Sequence, residues 1–178
     1  MLFNSFEFLL FFPIVTILFY LIPHTYRWMM LLAASCVFYM WFIPKYILIL
    51  LITIAIDYVA GILIEKRLEI GKNARLYLIV SILSTCSVLF VFKYLNFCSE
   101  NLVELARYLG LSHPTKVLHI ILPIGLSFHT FQSLSYVIEV YNRRQKAEYH
   151  FGYYSLYVMF FPQLVTGPIE RPQNLLRQ

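Results

Sequence analysis

The feature that most constrains this chain is a series of apolar runs at 6–22, 28–43, 46–64, 76–95, 117–141 and 149–165, separated by short polar connections. An α-helix rises 1.5 Å per residue, so about 20 apolar residues cross a ~30 Å hydrocarbon layer. Most of the runs reach that length. The second and sixth are short and suit a thinned bilayer or a surround of protein. Hydrophobic residues make up 60% of the 178 and charged residues 13%, roughly half the charge of a soluble domain. Water is therefore not the main solvent of the chain. The pattern predicts an all-α, polytopic helical membrane protein of about six transmembrane or re-entrant segments, with the lipid bilayer as its first partner. Residues 1–178 read as a single helical membrane domain, without internal repeat or low-complexity tract.

No Lys or Arg precedes Arg27 and no small-residue cleavage site follows Tyr20, so the first run reads as a retained helix and not as a secretory leader. The cytoplasmic side of a membrane protein collects Lys and Arg. Placing the 64–76 connection inside puts Lys66, Arg67, Lys72 and Arg75 there, together with Arg27 and the cluster Arg143, Arg144 and Lys146. The opposite side receives fewer: Lys45, Lys93, Arg107, Lys116, Arg171 and Arg177. The N-terminus is thereby predicted to be extracytoplasmic in a multi-pass cell (inner) membrane protein. The outer connection from Asn96 to Lys116, which carries Glu100 and Glu104, suits a short amphipathic interfacial helix. No basic run with interleaved aromatics is present, so nucleic acid is not expected as a partner. Cys36, Cys86 and Cys98 show no C-x-x-C spacing and read as packing residues, and no metal set is predicted.

Three features break the apolar pattern. Asp57 lies inside the third run, about 12 Å from its inner end, whereas Lys93 lies about 26 Å from the inner face on the fourth. At such different depths the two do not pair, so Lys93 is expected to snorkel to the outer interface. Asp57 is then left to bond hydroxyls or backbone between helices, or to line a cavity. In the fifth run, Pro123 and Gly125 disturb the outer end, and a helical pattern follows from Ser127. At 100° per residue, His129, Gln132, Ser133, Tyr136 and Arg143 fall within an arc of about 100°, with Phe131, Leu134 and Ile138 on other faces. Lipid does not solvate such a stripe, so it should face the bundle interior or a wet cavity. The sixth run has 13 residues from Tyr149 to Phe161 before Pro162, and Gly167-Pro168 interrupts it again. Irregular backbone at membrane depth persists only inside protein or beside a cavity. Gln163, Thr166 and the Glu170/Arg171 pair are therefore expected beside the stripe, the alternative being an ordinary helix end with a Pro-rich exit. The passage-lining candidates are Asp57, His129, Gln132, Ser133, Tyr136, Gln163, Thr166 and Arg171.

The chain holds no G-x-S-x-G, no H-E-x-x-H, no Gly-rich phosphate loop and no paired carboxylates at working spacing. Four blocks nonetheless match a known pattern in order: MLFNSFEFLLFFPIVTILFYLIP, IDYVAGILIE, LPIGLSFHTFQSLSYVIEVY and FFPQLVTGPIERP. Together they resemble the membrane-bound O-acyltransferase family, in its branch of bacterial alginate O-acetyltransferases and D-alanyl transfer proteins. The resemblance covers the N-terminal portion of the family's multi-helix bundle. It implies an enzyme that moves an acyl group, commonly acetyl, from a cytoplasmic donor to a hydroxyl of an extracytoplasmic polysaccharide or related acceptor. It also implies an acyl donor or carrier on the cytoplasmic side, such as an acyl thioester serving as co-substrate, and a polysaccharide or partner transferase outside. No bound cofactor is expected. The family's catalytic histidine is expected on a later segment, beyond Gln178, so that role is assigned to no residue here. Two other classes remain open at this point. One is a transporter or proton-relay bundle using Asp57 and His129, which predicts an inverted repeat that the sequence does not display. The other is a non-catalytic remnant or partner subunit.

Overall fold

A computed structural model of the chain describes residues 5–41, 44, 46–108 and 125–163, without the side chains of 105–107. All regular structure among these residues is helical. α1 (Phe6–Leu21) starts at Ser5, whose hydroxyl accepts the Phe8 amide at 3.3 Å, and ends before Pro23, which opens a single 3-10 turn at His24–Tyr26. α2 (Arg27–Met40) follows directly. Arg27 holds the corner by donating to the Ile22 carbonyl at 3.2 Å and stacking its guanidinium 4.8 Å from the Phe19 ring.

α3 (Tyr46–Glu69) and α4 (Arg75–Tyr108) form an antiparallel hairpin. The turn between them is fixed by Gly71 at φ +70, where the Gly71 amide bonds Leu68 O and the Lys72 amide bonds Arg67 O, satisfying two carbonyls at the end of α3. Asn73 then caps α4 by accepting the Arg75 amide at 2.8 Å. α4 contains no Gly or Pro and runs unbroken for 34 residues, about 51 Å. The expected interfacial connection beginning at Asn96 is, as far as Tyr108, a continuation of this helix. Nothing in its sequence stops the backbone there, so the change from apolar to charged residues alters the helix surface and not its path.

α5 (Leu126–Tyr141) begins at Gly125, whose φ of +84 makes the turn into the helix. It ends in the same double-bonded closure as α3, but with Arg143 at φ +59 in the left-handed position that favours glycine. α6 (Phe151–Met159) is capped by His150 and has nine residues, after which a 3-10 turn occupies Phe161–Gln163. The sixth run thus leaves the helix two residues earlier than its Pro162 alone implied, at Phe160, whose ψ of 110 turns the chain out of the helical conformation before the 3-10 turn.

α3, α4 and α5 pack against one another, α6 lies against α2 and α3, and α1 lies against α2. The core includes Leu50, Ile54, Ile64, Tyr136, Val137, Tyr154, Tyr157 and Met159. Gly61 on α3 permits this approach, since a Cβ there would lie 2.8 Å from the Tyr136 ring. α3 thus contributes Leu50, Ile54, Asp57, Ala60, Gly61 and Ile64 to the interior that it shares with α5. α3 and the Arg75–Glu104 part of α4 are long and apolar enough to cross a membrane. α1, α2, α5 and α6, with 16, 14, 16 and 9 residues, are shorter than the ~20 that span a bilayer alone. The outward faces of α1 and α4 are largely apolar, including Leu9, Ile17, Leu83 and Phe90. Cys86 and Cys98 are exposed on α4, so of the three thiols only half-buried Cys36 packs within this chain. These properties fit a membrane protein.

Candidate functional site

Asp57 is fully buried on α3. Ser81 and Thr85, one helical turn apart on the facing side of α4, donate to it: Ser81 Oγ lies 2.6 Å from Oδ1, and Thr85 Oγ1 lies 3.0 Å from each carboxyl oxygen. Beside this group the Tyr154 hydroxyl on α6 donates to Ser133 Oγ on α5 at 3.4 Å. Asp57 therefore ties α3 to α4 through hydroxyls. Lys93 takes no part and lies exposed, its Nζ 5.6 Å from the Tyr94 ring.

The stripe on α5 faces inward, with His129, Gln132, Ser133 and Tyr136 all buried while Phe131 and Ile138 face outward. Its partners explain why α6 tolerates being short. The last turn of a helix leaves carbonyls without intrahelical donors. Gln132 Nε2 donates to Tyr157 O at 2.7 Å, and His129 Nδ1 lies 2.6 Å from Val158 O. Two side chains three residues apart on α5 thus cap the end of α6. Gln132 Nε2 also lies 3.3 Å from Gln163 Oε1 in the 3-10 turn, so Gln163 does join the stripe. The Phe161 amide donates to Ser35 Oγ at 3.3 Å, anchoring the same turn to α2. Thr166 and Arg171 lie outside the described residues.

Lower on α5, Tyr136 accepts the Glu148 amide at 2.8 Å and fixes the start of the α5–α6 connection. Arg143, the last member of the predicted stripe, is exposed and donates to Leu68 O at 3.1 Å. That places a cation at the C-terminal end of α3, where the helix dipole favours it. Here the structure opens a cleft of about 650 Å³ whose walls include Glu65, Glu69, Arg143, Arg144, Lys146 and Glu148. The basic cluster is therefore interleaved with carboxylates. Tyr149 donates to Glu65 Oε2 at 2.8 Å at this edge, and the loss of that bond on ionisation pushes its phenol pKa up to about 12.

The sequence pattern missed Ser81 and Thr85. Their i, i+4 spacing opposite a buried carboxylate was the available signal. It gave no signal for the Tyr157 and Val158 carbonyls, since an acceptor supplied by backbone has no residue type.

Comparison with known proteins adds an independent line. The chain is 36% identical to the probable alginate O-acetylase AlgI of Pseudomonas aeruginosa and 35% identical to that of Azotobacter vinelandii, in each case across its whole length. It is 29% identical to the peptidoglycan O-acetyltransferase of Helicobacter pylori over 83% of its length. No family model and no solved structure matches the chain. The chain covers 34%, 36% and 32% of these three relatives, so it spans about a third of the length of the curated proteins it matches. The chain is thus similar along its whole length to members of the membrane-bound O-acyltransferase family, and matches a stretch about a third as long as those members.

Proposed function

We propose that this chain contributes the α3–α6 core of a membrane O-acyltransferase that moves an acyl group, acetyl by the names of its relatives, onto hydroxyls of an extracytoplasmic polysaccharide. The observation that carries the reading is the match of the entire chain to proteins named alginate O-acetylases. In this reading all six apolar segments lie within the inner membrane as transmembrane or re-entrant helices, and the N-terminus is extracytoplasmic. The Arg143 end faces the cytoplasm and an acyl thioester donor or carrier. The acceptor, or a partner transferase, lies opposite.

The reaction requires an acceptor hydroxyl oxygen to attack the acyl carbonyl while a base takes its proton. The carbon–sulfur bond then breaks and the thiol leaves. No residue of this chain is assigned as that base. Asp57, His129, Gln132, Ser133, Tyr136 and Gln163 would hold one wall of the passage. The bonds of His129 and Gln132 to the α6 carbonyls support such a role as rigid positioning rather than proton exchange.

The test is a transfer assay on membranes from the native host, supplied with a labelled acetyl donor. Ester-linked, hydroxylamine-labile label on extracytoplasmic polysaccharide, lost when the gene is deleted, is the expected result. Solute or proton flux in reconstituted vesicles without acyl transfer would replace the proposal with a transporter.

A further inference from the structure

Between α3, α4, α5 and α6 the packing leaves a cavity of about 10 Å³, lined by Leu50, Thr53, Thr85, Leu126, His129, Thr130, Ser133 and other apolar neighbours. This is about the volume that one water molecule's centre requires. His129 is 2% exposed, and its Nε2 has no hydrogen-bond partner among the described residues. A carbonyl only accepts, so the 2.6 Å contact with Val158 O places the hydrogen on Nδ1 and leaves Nε2 of the neutral ring as an acceptor.

The threonine hydroxyls around the cavity direct their hydrogens elsewhere: Thr53 donates to Leu50 O, Thr130 to Leu126 O and Thr85 to Asp57. The threonines and His129 Nε2 therefore present lone pairs, which an occupant meets by donating. Among the described residues no charged side chain lines the cavity, which disfavours an ion because burying an uncompensated charge costs far more than burying a neutral donor.

We propose that this cavity is a binding site for a single water that donates to His129 Nε2 and to a neighbouring hydroxyl oxygen. The water extends the Asp57 network to the end of α6. One hydrogen-bonded path then runs from Ser81 on α4 through Asp57, Thr85 and the water to His129 and the Val158 carbonyl. The short helix α6 is thereby joined to the α3–α4 hairpin by polar contacts as well as by packing.

The test uses the whole protein in lipid bilayers, labelled with ¹⁵N-histidine, and water-edited solid-state NMR. His129→Phe identifies the resonances of His129. The expected result is a neutral ring with hydrogen on Nδ1, whose Nε2 receives magnetisation from a slowly exchanging water. Val88→Ile, which adds a carbon at the cavity wall, should abolish that transfer and leave the Nδ1 signal in place. A protonated Nε2, or no transfer from water in the native protein, overturns the proposal. So does a His129 shift that appears when sodium is replaced by N-methylglucamine, which would make the occupant a cation.

Discussion

At the scale of single residues, Asp57 has the largest consequences. Its carboxylate accepts from Ser81 and Thr85. Asp57→Ala leaves buried hydroxyls without their acceptor, at about 1–3 kcal/mol for each group left unsatisfied. A fall of several degrees in thermal unfolding in detergent is expected, whereas exposed Lys93→Gln should leave the midpoint unchanged. Equal midpoints for the two would contradict the network. Tyr149 gives a pH-dependent counterpart. Its phenol pKa is raised from the ordinary 10 to about 12, chiefly by the bond to Glu65. A raised folded value means that the contribution of this bond is complete below about pH 10 and is lost as pH rises through about 12. Ultraviolet titration, taken as the difference between native protein and Tyr149→Phe, should show a midpoint near the raised value, and Glu65→Gln should bring it back toward 10. The sequence made Asp57 conspicuous because a carboxylate interrupts an apolar run. It did not reveal the Tyr149 bond, which joins residues 84 positions apart.

At the scale of elements, the 100° spacing on α5 was legible and the reason for it was not. His129 and Gln132 serve the broken end of α6, whose backbone acceptors leave no mark on the sequence. Gln132→Leu should therefore free the end of α6 selectively. Amide exchange is expected to rise about tenfold or more at 157–163, the effect of losing ~1.4 kcal/mol or more of local protection. Exchange within the α3–α4 hairpin should stay constant, and a uniform rise across both regions would mean that Gln132 supports the whole core. α4 illustrates the opposite failure of reading. Its polarity changes at Asn96, yet a helix has no cause to stop where its surface changes when no Gly, Pro or cap is present. Hydropathy located the apolar part of α4 and misjudged its end.

At the scale of the whole molecule, the distribution of charge is the legible feature. Arg143, Arg144 and Lys146 gather at the same end of the bundle as Lys66 and Arg67, where the α5–α6 connection meets the C-terminal turns of α3. Replacing Arg143, Arg144 and Lys146 by Gln should shift the orientation of a topology reporter fused after α5 if these cations direct insertion. A normal reporter together with reduced acyl transfer would instead assign them to docking the donor. The packing of α3 among α4, α5 and α6 was not legible, because a uniformly apolar helix gives no periodic sign of which neighbours it meets. The central claim is that the inward polar face of α5 shapes a site for acyl transfer. Its most direct test is the rate of polysaccharide O-acetylation in native membranes, normalised to folded protein. Gln132→Leu and Tyr136→Phe should lower that rate at least tenfold more than Leu134→Ile, which alters only packing on another face. Equal rates in all three variants would contradict the account.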